Sequence, residues 1–376
     1  MSTQERVHSD ADGMRAALRW NQKGRGWTSP RPSVGCTLVR DGVVIGGGHT
    51  QPGDGNPHAE VMALRAVQNA GLTAEGATAY VTLEPCSHWR TTPPCSDALI
   101  AAGIKRVVCG VRDPNPCVDG RGFDQLRTAG IEVVENFMVA ECARAQDDFL
   151  KHIATGLPLV TLKCAVSLDG KIATSSGQSQ WITGEASRRR VHQMRHEHDA
   201  VLVGIETVLA DDPQLSVRLE GQWKQPARVI LDSRGRLPLH AKVLQSRESS
   251  TRVFVATTAA MPPATRQALA DGGAEIIETQ ARDGRVDLAQ LWKRLGEHGI
   301  CSVLIEGGAQ VAGAALASGT VDKVQFFVAP LLIGQGRSAL ESWSVTELGA
   351  APRLHDVWTE GFGDDTMIGG YLTKLY

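Results

Sequence analysis

The sequence is short of several things, and each shortage narrows what the chain can be. Charge of one sign is almost cancelled by the other: 39 Lys and Arg against 41 Asp and Glu leave a net charge of -2 over 376 residues. A surface built to grip long nucleic acid carries a basic surplus, and none is present. No apolar run reaches the roughly 18 residues that a membrane-spanning helix needs. The opening MSTQERVHSDADGMRAALRW is polar and mixed in charge, unlike a secretory leader, so the expected address is cytoplasmic. Aromatic residues are only 5% of the chain, and the five Trp of its second half (181, 223, 292, 343, 358) are expected as core and surface anchors, not as a stacking track. Without an export signal, the eight cysteines are expected as reduced thiols or metal ligands, not as a disulfide frame.

What is present is ordinary globular composition, 42% hydrophobic and 21% charged, in a chain long enough for two domains. Asp41-Gly42 between two β-branched runs predicts a tight hairpin. PHAEVMALRAVQNAG predicts a helix that starts at a Pro and stops at Gly71. TAYVTLEP, SDALIAAG, KRVVCGV, FDQLRTAG and IEVVE then alternate strand and helix, which implies parallel pairing with helices on both faces. The breaker in LKHIATGLPLVTLK places the join near residue 150. Beyond it VTLKCAV, AVLVGIETV, ARVILD, RVFVATT, EIIET, SVLIEGG and KVQFFVAP predict a second α/β domain.

His58, Glu60, Cys86 and Cys95 form the strongest chemical signal. PHAE followed by EPC is the H-x-E and P-C pairing of zinc deaminases, with the second cysteine displaced to eight intervening residues. One His and two Cys supply three ligands to a tetrahedral ion and leave the fourth position for water, as in a catalytic site. Glu60 is then free to move protons, and Cys95 at a helix start gains from the dipole there. His88 is a competing ligand within the loop, expected instead as a substrate contact or loop residue. In the second half, Gly307-Gly308 after a strand offers a turn and a helix start suited to a pyrophosphate, although the spacing is not G-x-G-x-x-G. Asp211-Asp212-Pro213 reads on its own as a helix cap and turn, and Arg188-Arg189-Arg190 as a solvated helix face.

TLEPCSHWRTTPPC, DPNPCVDGRG, LKCAVSLDGKIAT, SQWITG and VLADDPQLSVR together resemble the bifunctional deaminase-reductase family of riboflavin biosynthesis, over nearly the whole chain and in both halves. The resemblance implies an α/β protein with a cytidine-deaminase-like three-layer domain over residues 1–150 and a dihydrofolate-reductase-like domain over 151–376. It implies hydrolytic removal of the 2-amino group from a diaminopyrimidinone bearing a ribose 5-phosphate, then reduction of that ribose to a ribityl chain. The cofactors implied are one zinc per chain, held by His58, Cys86 and Cys95, and NADPH. Ala165, Trp181, Thr207, Asp211, Ser233 and Gly308 resemble the dinucleotide positions. Ser179, Arg195, Leu215, Arg218 and Glu306 resemble the substrate positions, with the two arginines suited to a phosphate by forked hydrogen bonding. Lys163 and Glu306 are expected as polar partners of the ribose, with Asp169 near the nicotinamide. The partner implied is a small phosphoribosyl pyrimidine, with neither nucleic acid nor membrane, and self-association as a dimer or tetramer through the reductase domain.

Some residues depart from the family pattern. Arg31-Pro32-Ser33-Val34-Gly35 stands where Asn-Pro-x-Val-Gly is usual, Trp89-Arg90-Thr91-Thr92 lacks the usual Gly and cation order, and His49 to His58 is a longer segment. These departures keep other readings open: a paralogue acting in an azapteridine pathway such as that of toxoflavin, or a reductase whose deaminase site is impaired. A nucleic-acid deaminase and a non-catalytic protein with structural zinc are the remaining rivals; the latter requires four protein ligands.

Overall fold

The computed structural model describes residues 5–89, 93–245, 251–341 and 343–374. The chain divides into two compact units, Met1–Thr155 and Gly156–Lys374. The division falls at the Gly156-Leu157-Pro158 breaker, after a helix that continues past residue 150.

The N-terminal unit runs α1 (Asp10–Gly24), β1 (Gly35–Arg40), β2 (Val43–His49), α2 (Ala59–Asn69), β3 (Thr78–Leu83), α3 (Cys95–Ala101), β4 (Arg106–Val111), α4 (Arg121–Thr128), β5 (Glu132–Val134), α5 (Val139–Arg144) and α6 (Asp147–Thr155). The Asp41-Gly42 hairpin forms with both residues at positive φ, 52° and 71°, as a tight two-residue turn requires. The sheet order is β2-β1-β3-β4-β5, with β1 antiparallel to both neighbours and β3, β4 and β5 parallel. Three glycines in succession on β2 show why this is a three-layer unit. A Cβ on Gly46 would stand 2.7 Å from the Ala63 carbonyl and one on Gly48 2.7 Å from the Ala63 nitrogen, both on α2; one on Gly47 would strike the Trp20 ring of α1 on the other face. The two helices press on the sheet too closely for side chains, and the core of Met14, Leu38, Val81, Leu99, Val107 and Leu126 fills the rest.

The second unit continues with β6 (Leu159–Ser167), β7 (Lys171–Thr174), α7 (Glu185–Glu197), β8 (Ala200–Gly204), α8 (Ile205–Asp211), β9 (Ala227–Leu231), β10 (Val253–Thr257), α9 (Pro263–Asp271), β11 (Glu275–Glu278), β12 (Ala281–Arg282), β13 (Arg285–Val286), α10 (Leu288–Glu297), β14 (Ser302–Glu306), α11 (Ala309–Ala317), β15 (Lys323–Ala329), β16 (Gly336–Ser338), β17 (His355–Phe362) and β18 (Asp365–Tyr371). Nine strands align as β11-β10-β9-β8-β14-β6-β15-β18-β17. The first seven are parallel, and β18 and β17 close one edge antiparallel. Apolar clusters cover both faces: Leu162, Leu202 and Val303 belong to one, Val201, Val203 and Leu304 to the other. Burial on both sides explains the near-continuous apolar runs of the parallel strands. The expected strands are all present, and β17 and β18 add to them. Most of β17 is exposed, so its polar sequence HDVWTEGF carries little apolar periodicity.

Gly48→Ala is expected to overpack α2 against β2 and destabilise the N-terminal unit by about 1–3 kcal/mol. Urea unfolding followed by far-ultraviolet circular dichroism checks this; an unchanged midpoint would contradict the close approach.

Candidate active sites

In the N-terminal unit the candidate residues meet at one edge of the sheet. His58 is the N-cap of α2, Glu60 lies in its first turn, Cys86 follows β3 and Cys95 opens α3. One donor atom from each of His58, Cys86 and Cys95 lies within 4.8 Å of the others, and the group includes no fourth ligand among the described residues. His58 Nδ1 is 3.2 Å from Cys95 Sγ and 3.5 Å from Cys86 Sγ. His88 is outside this group; its Nδ1 is buried without a hydrogen-bond partner. All eight cysteines are free thiols, which removes the disulfide reading.

The chemistry of this donor set fits a divalent cation. A hydrogen bond from Cys95, with His58 beside it, lowers the Cys86 thiol to about 4, and the Cys95 backbone N–H also points at this sulfur at 3.4 Å. The same pairing with Cys86, together with burial and Glu60, pushes Cys95 well above the usual thiol range. One thiolate is therefore accommodated, and a second needs positive charge between the sulfurs. Glu60 is buried, 3% exposed, and burial raises its carboxyl to about 7, where it can both accept and release a proton near neutral pH.

Two supports of this site lie outside the motif. Glu84, buried at the end of β3, accepts the backbone N–H groups of Asp113, Gly120 and Gly122 and pins the 113–122 loop beside Cys86. Arg31 donates to the carbonyls of Gln51, Gly53 and Asn56. The unusual arginine and the longer 49–58 segment are thus one device, a cation holding the loop that leads to His58. Ser33 is tied to α1 through the Asn21 carbonyl at 2.7 Å. Trp89 is exposed, and Arg90, Thr91 and Thr92 lie outside the described residues.

In the second unit, register makes Lys163 on β6 and Glu306 on β14 direct neighbours. Arg195, in the last turn of α7, gives Glu306 a bidentate ion pair at 2.7 and 2.9 Å, and its third arm donates to the Ser216 carbonyl at 2.9 Å. The arginine expected to fork onto a phosphate forks here onto Glu306. Arg195 and nearby Lys163 hold that carboxyl below its usual range against the opposing effect of burial. Burial lowers the pKa of Lys163 itself. Arg218 stays exposed beside His192, whose Nδ1 accepts the Arg218 backbone N–H at 3.3 Å.

Thr207, Ser233 and Gly308 follow the carboxyl ends of β8, β9 and β14, where open α/β sheets take their ligands. Gly307 and Gly308, at φ 90° and 85°, turn the chain from β14 into α11, and a Cβ on either would meet Thr207 of α8 at about 3.5 Å. Ser233 follows β9 and accepts from the Val286 N–H. Ala165 lies on β6, and Asp211 ends α8, with Asp212 as its left-handed cap. Trp181 and Ser179 are exposed, Trp181 with Arg188 over its ring at 4.7 Å; Arg190 pairs with Glu197. Leu215 is buried at φ 54°. Asp169 binds the Ser167 hydroxyl and the N–H groups of Ile333 and Gly334, which brings its carboxyl down to about 2. Its role here is to join two loops. A cavity of about 590 Å³, lined by Arg234, Thr258, Thr279 and Gln290, continues along the ends of β9 to β11.

With this geometry in hand, comparison with known proteins gives a consistent answer. Residues 158–368 match the RibD C-terminal domain. Residues 7–111 match the cytidine and deoxycytidylate deaminase zinc-binding region. The chain belongs to the RibD family. It is 42% identical to the riboflavin biosynthesis protein RibD of Actinobacillus pleuropneumoniae, over 96% of this chain and 94% of that one. Against the Escherichia coli RibD it is 44% identical, covering 87% and 89%. Acinetobacter baumannii RibD superposes with a TM-score of 0.82 at 41% identity, over 97% and 99% of the two chains. The Thermotoga maritima diaminohydroxyphosphoribosylaminopyrimidine deaminase/5-amino-6-(5-phosphoribosylamino)uracil reductase gives 0.81 at 35%, over 96% and 98%. The family assignment carries the deaminase-like and reductase α/β folds together in one chain. No helix among the described residues is long and apolar enough to cross a membrane.

The purified protein is expected to hold one zinc per chain by atomic absorption. Cys95→Ala should leave it substoichiometric after dialysis, whereas Glu60→Gln should retain the metal. Full zinc in Cys95→Ala would exclude the three-ligand site.

Proposed function

We infer that the chain is a two-site enzyme: a zinc-dependent deaminase at its N-terminus and an NADPH-dependent reductase at its C-terminus. Its substrate is 2,5-diamino-6-(5-phosphoribosylamino)pyrimidin-4-one, deaminated at C2 and then reduced at the ribose to give 5-amino-6-(5-phosphoribitylamino)uracil. The observation that carries this reading is the juxtaposition of His58, Cys86, Cys95 and buried Glu60 in a chain alignable over almost its whole length with RibD proteins.

At the first site His58, Cys86 and Cys95 would hold zinc. Bound there, zinc supplies Lewis acidity that makes water a nucleophile near neutral pH. Glu60 takes the proton from the water that attacks C2 and delivers it to the departing amine, so that water and the amino compound become the carbonyl compound and ammonia. Glu84 and the Arg31-held loop keep the walls of the site in place. Because the Arg31 departure leaves the ligands and Glu60 assembled, the reading with both reactions is favoured over one with a lost deaminase.

At the second site Thr207, Gly307, Gly308 and Ser233 would hold the dinucleotide. The reduced nicotinamide supplies hydride; the protein supplies position. Lys163 carries a proton to the ribose oxygen released as the ring opens, and Glu306, fixed by Arg195, orients Lys163 toward it. Arg218 receives the phosphate. The division of labour follows the two domains, 1–150 and 151–376, in a cytoplasmic homo-oligomer, dimer or tetramer, built through the reductase domain.

The test supplies substrate and NADPH and follows ammonia and nicotinamide oxidation separately. Glu60→Gln should lower ammonia release by about 10²- to 10⁴-fold and leave reduction of the already deaminated compound unchanged. Loss of both activities would refute two independent sites.

A further inference from the structure

The reductase site carries a charge imbalance. Lys163, Arg195 and Arg218 place three positive charges around one carboxylate, Glu306. Arg195 is satisfied by its fork onto Glu306 and by Ser216. Lys163 and Arg218 have no ion-pair partner among the described residues. A half-buried group of this kind is short of a doubly charged anion.

His192 stands among these groups. It precedes Arg195 by three residues on α7, so the two share a helix face. Around its ring lie Arg195 from α7, Arg218 and the Ser216 backbone from the segment after α8, and Glu306 from β14. Its Nδ1 accepts the Arg218 N–H at 3.3 Å, so the neutral ring carries its hydrogen on Nε2. Burial and the two arginines keep the imidazole neutral, holding its pKa at about 4. An arriving dianion reverses that balance, because it favours the charged ring and offsets both guanidinium groups.

We propose that His192 is a further phosphate-binding residue of the reductase site, neutral in the free protein and protonated from solvent when the substrate's phosphate docks beside Arg218. This rests on the reductase reading above. Protonation of Nδ1 sets two donors against each other, so the Arg218 N–H leaves the ring and turns to the phosphate. The linkage has a definite sign: binding raises the imidazole pKa, so affinity is highest on the acid side and falls as pH rises through the raised value. The phosphate itself must be a dianion, which holds above its second pKa of about 6. A phosphate monoester is also present on NADPH, and the experiment separates the two sources.

Full-length protein is titrated calorimetrically with ribose 5-phosphate between about pH 6.5 and about pH 8.5, where the probe is largely a dianion, in buffers of different ionisation enthalpy. The His192 imidazole resonance, assigned by its loss in His192→Gln, is followed alongside. Expected are uptake of up to about one proton per ligand bound, a downfield shift of that resonance, and affinity that weakens by up to about tenfold per pH unit on the alkaline limb. His192→Gln should bind ribose 5-phosphate several-fold more weakly, without this pH dependence, while binding NADPH as the parent does, which also reports that it is folded. Ribose 5-phosphate binding with no proton uptake and an unmoved resonance overturns the role of His192 and leaves the reductase reading standing. A loss confined to NADPH binding overturns it as well. Failure of the parent protein to bind ribose 5-phosphate at any pH overturns both.

Discussion

Leu83 and Val111, near the ends of β3 and β4, lie side by side in a parallel pair, as do Glu306 and Lys163 on β14 and β6. Parallel pairing sends successive chain segments out of the sheet at the same edge, and several of them then enter a helix. In the N-terminal unit that edge receives Cys86 after β3, the 113–122 loop after β4, and the starts of α2 and α3 with His58, Glu60 and Cys95. In the second unit it receives Thr207, Ser233, Glu306 and the glycine turn. Residues far apart in sequence become neighbours because the ladder permits few other arrangements. Without the ladders, the metal ligands would be three residues on unrelated loops.

The ion pair between Arg195 and Glu306 illustrates what such a scaffold can hold in place. Taking both charges out of water costs several kcal/mol per ion, and an apolar pair of similar volume is often as stable. Stability alone therefore gives no reason for a guanidinium and a carboxylate there. What the pair does provide is orientation, since a bidentate fork fixes the carboxylate plane beside Lys163. Burial acts on the two groups in opposite senses: it lowers the pKa of Lys163, whereas around Glu306 the cations prevail over burial and keep the carboxylate charged. The result is a lysine that parts with its proton more readily than one in water, next to an anion that does not compete for it.

The grouping of His58, Cys86, Cys95 and Glu60 was legible in sequence because zinc chemistry demands particular residue types at helix starts and strand ends, and those ends are marked by Pro, Gly and apolar periodicity. The supports were not legible. Glu84 reads only as the acidic residue before a proline, and its role depends on three backbone N–H groups 29, 36 and 38 residues downstream. The fork of Arg195 onto Glu306 could not be read either, because nothing in α7 reveals that Glu306 lies opposite it. The tie from Asp169 to Ile333 and Gly334 was hidden for the same reason, since those partners are more than 160 residues away. The reason for three successive glycines on β2 was also hidden: they stand where α1 and α2 come too near for a side chain. In each case the missing information is a tertiary partner, which local propensity does not encode.

The placement of the departures from the family pattern follows from the same division. His58, Glu60 and Cys95 stand at helix starts whose positions are set by the core, so a change in a connecting loop does not move them. Arg31 and the segment it holds belong to that connecting material: the guanidinium is satisfied by carbonyls of the loop, and both can change together without disturbing the sheet. The charge of Arg31 still weighs against a charged imidazole at His58, because neutral carbonyls hold the guanidinium in place without cancelling it. By offering three carbonyls as acceptors, the loop orders itself around that positive charge. The proposed proton transfer thus rests on the part of the unit that cannot vary cheaply, and the surrounding loop on the part that can.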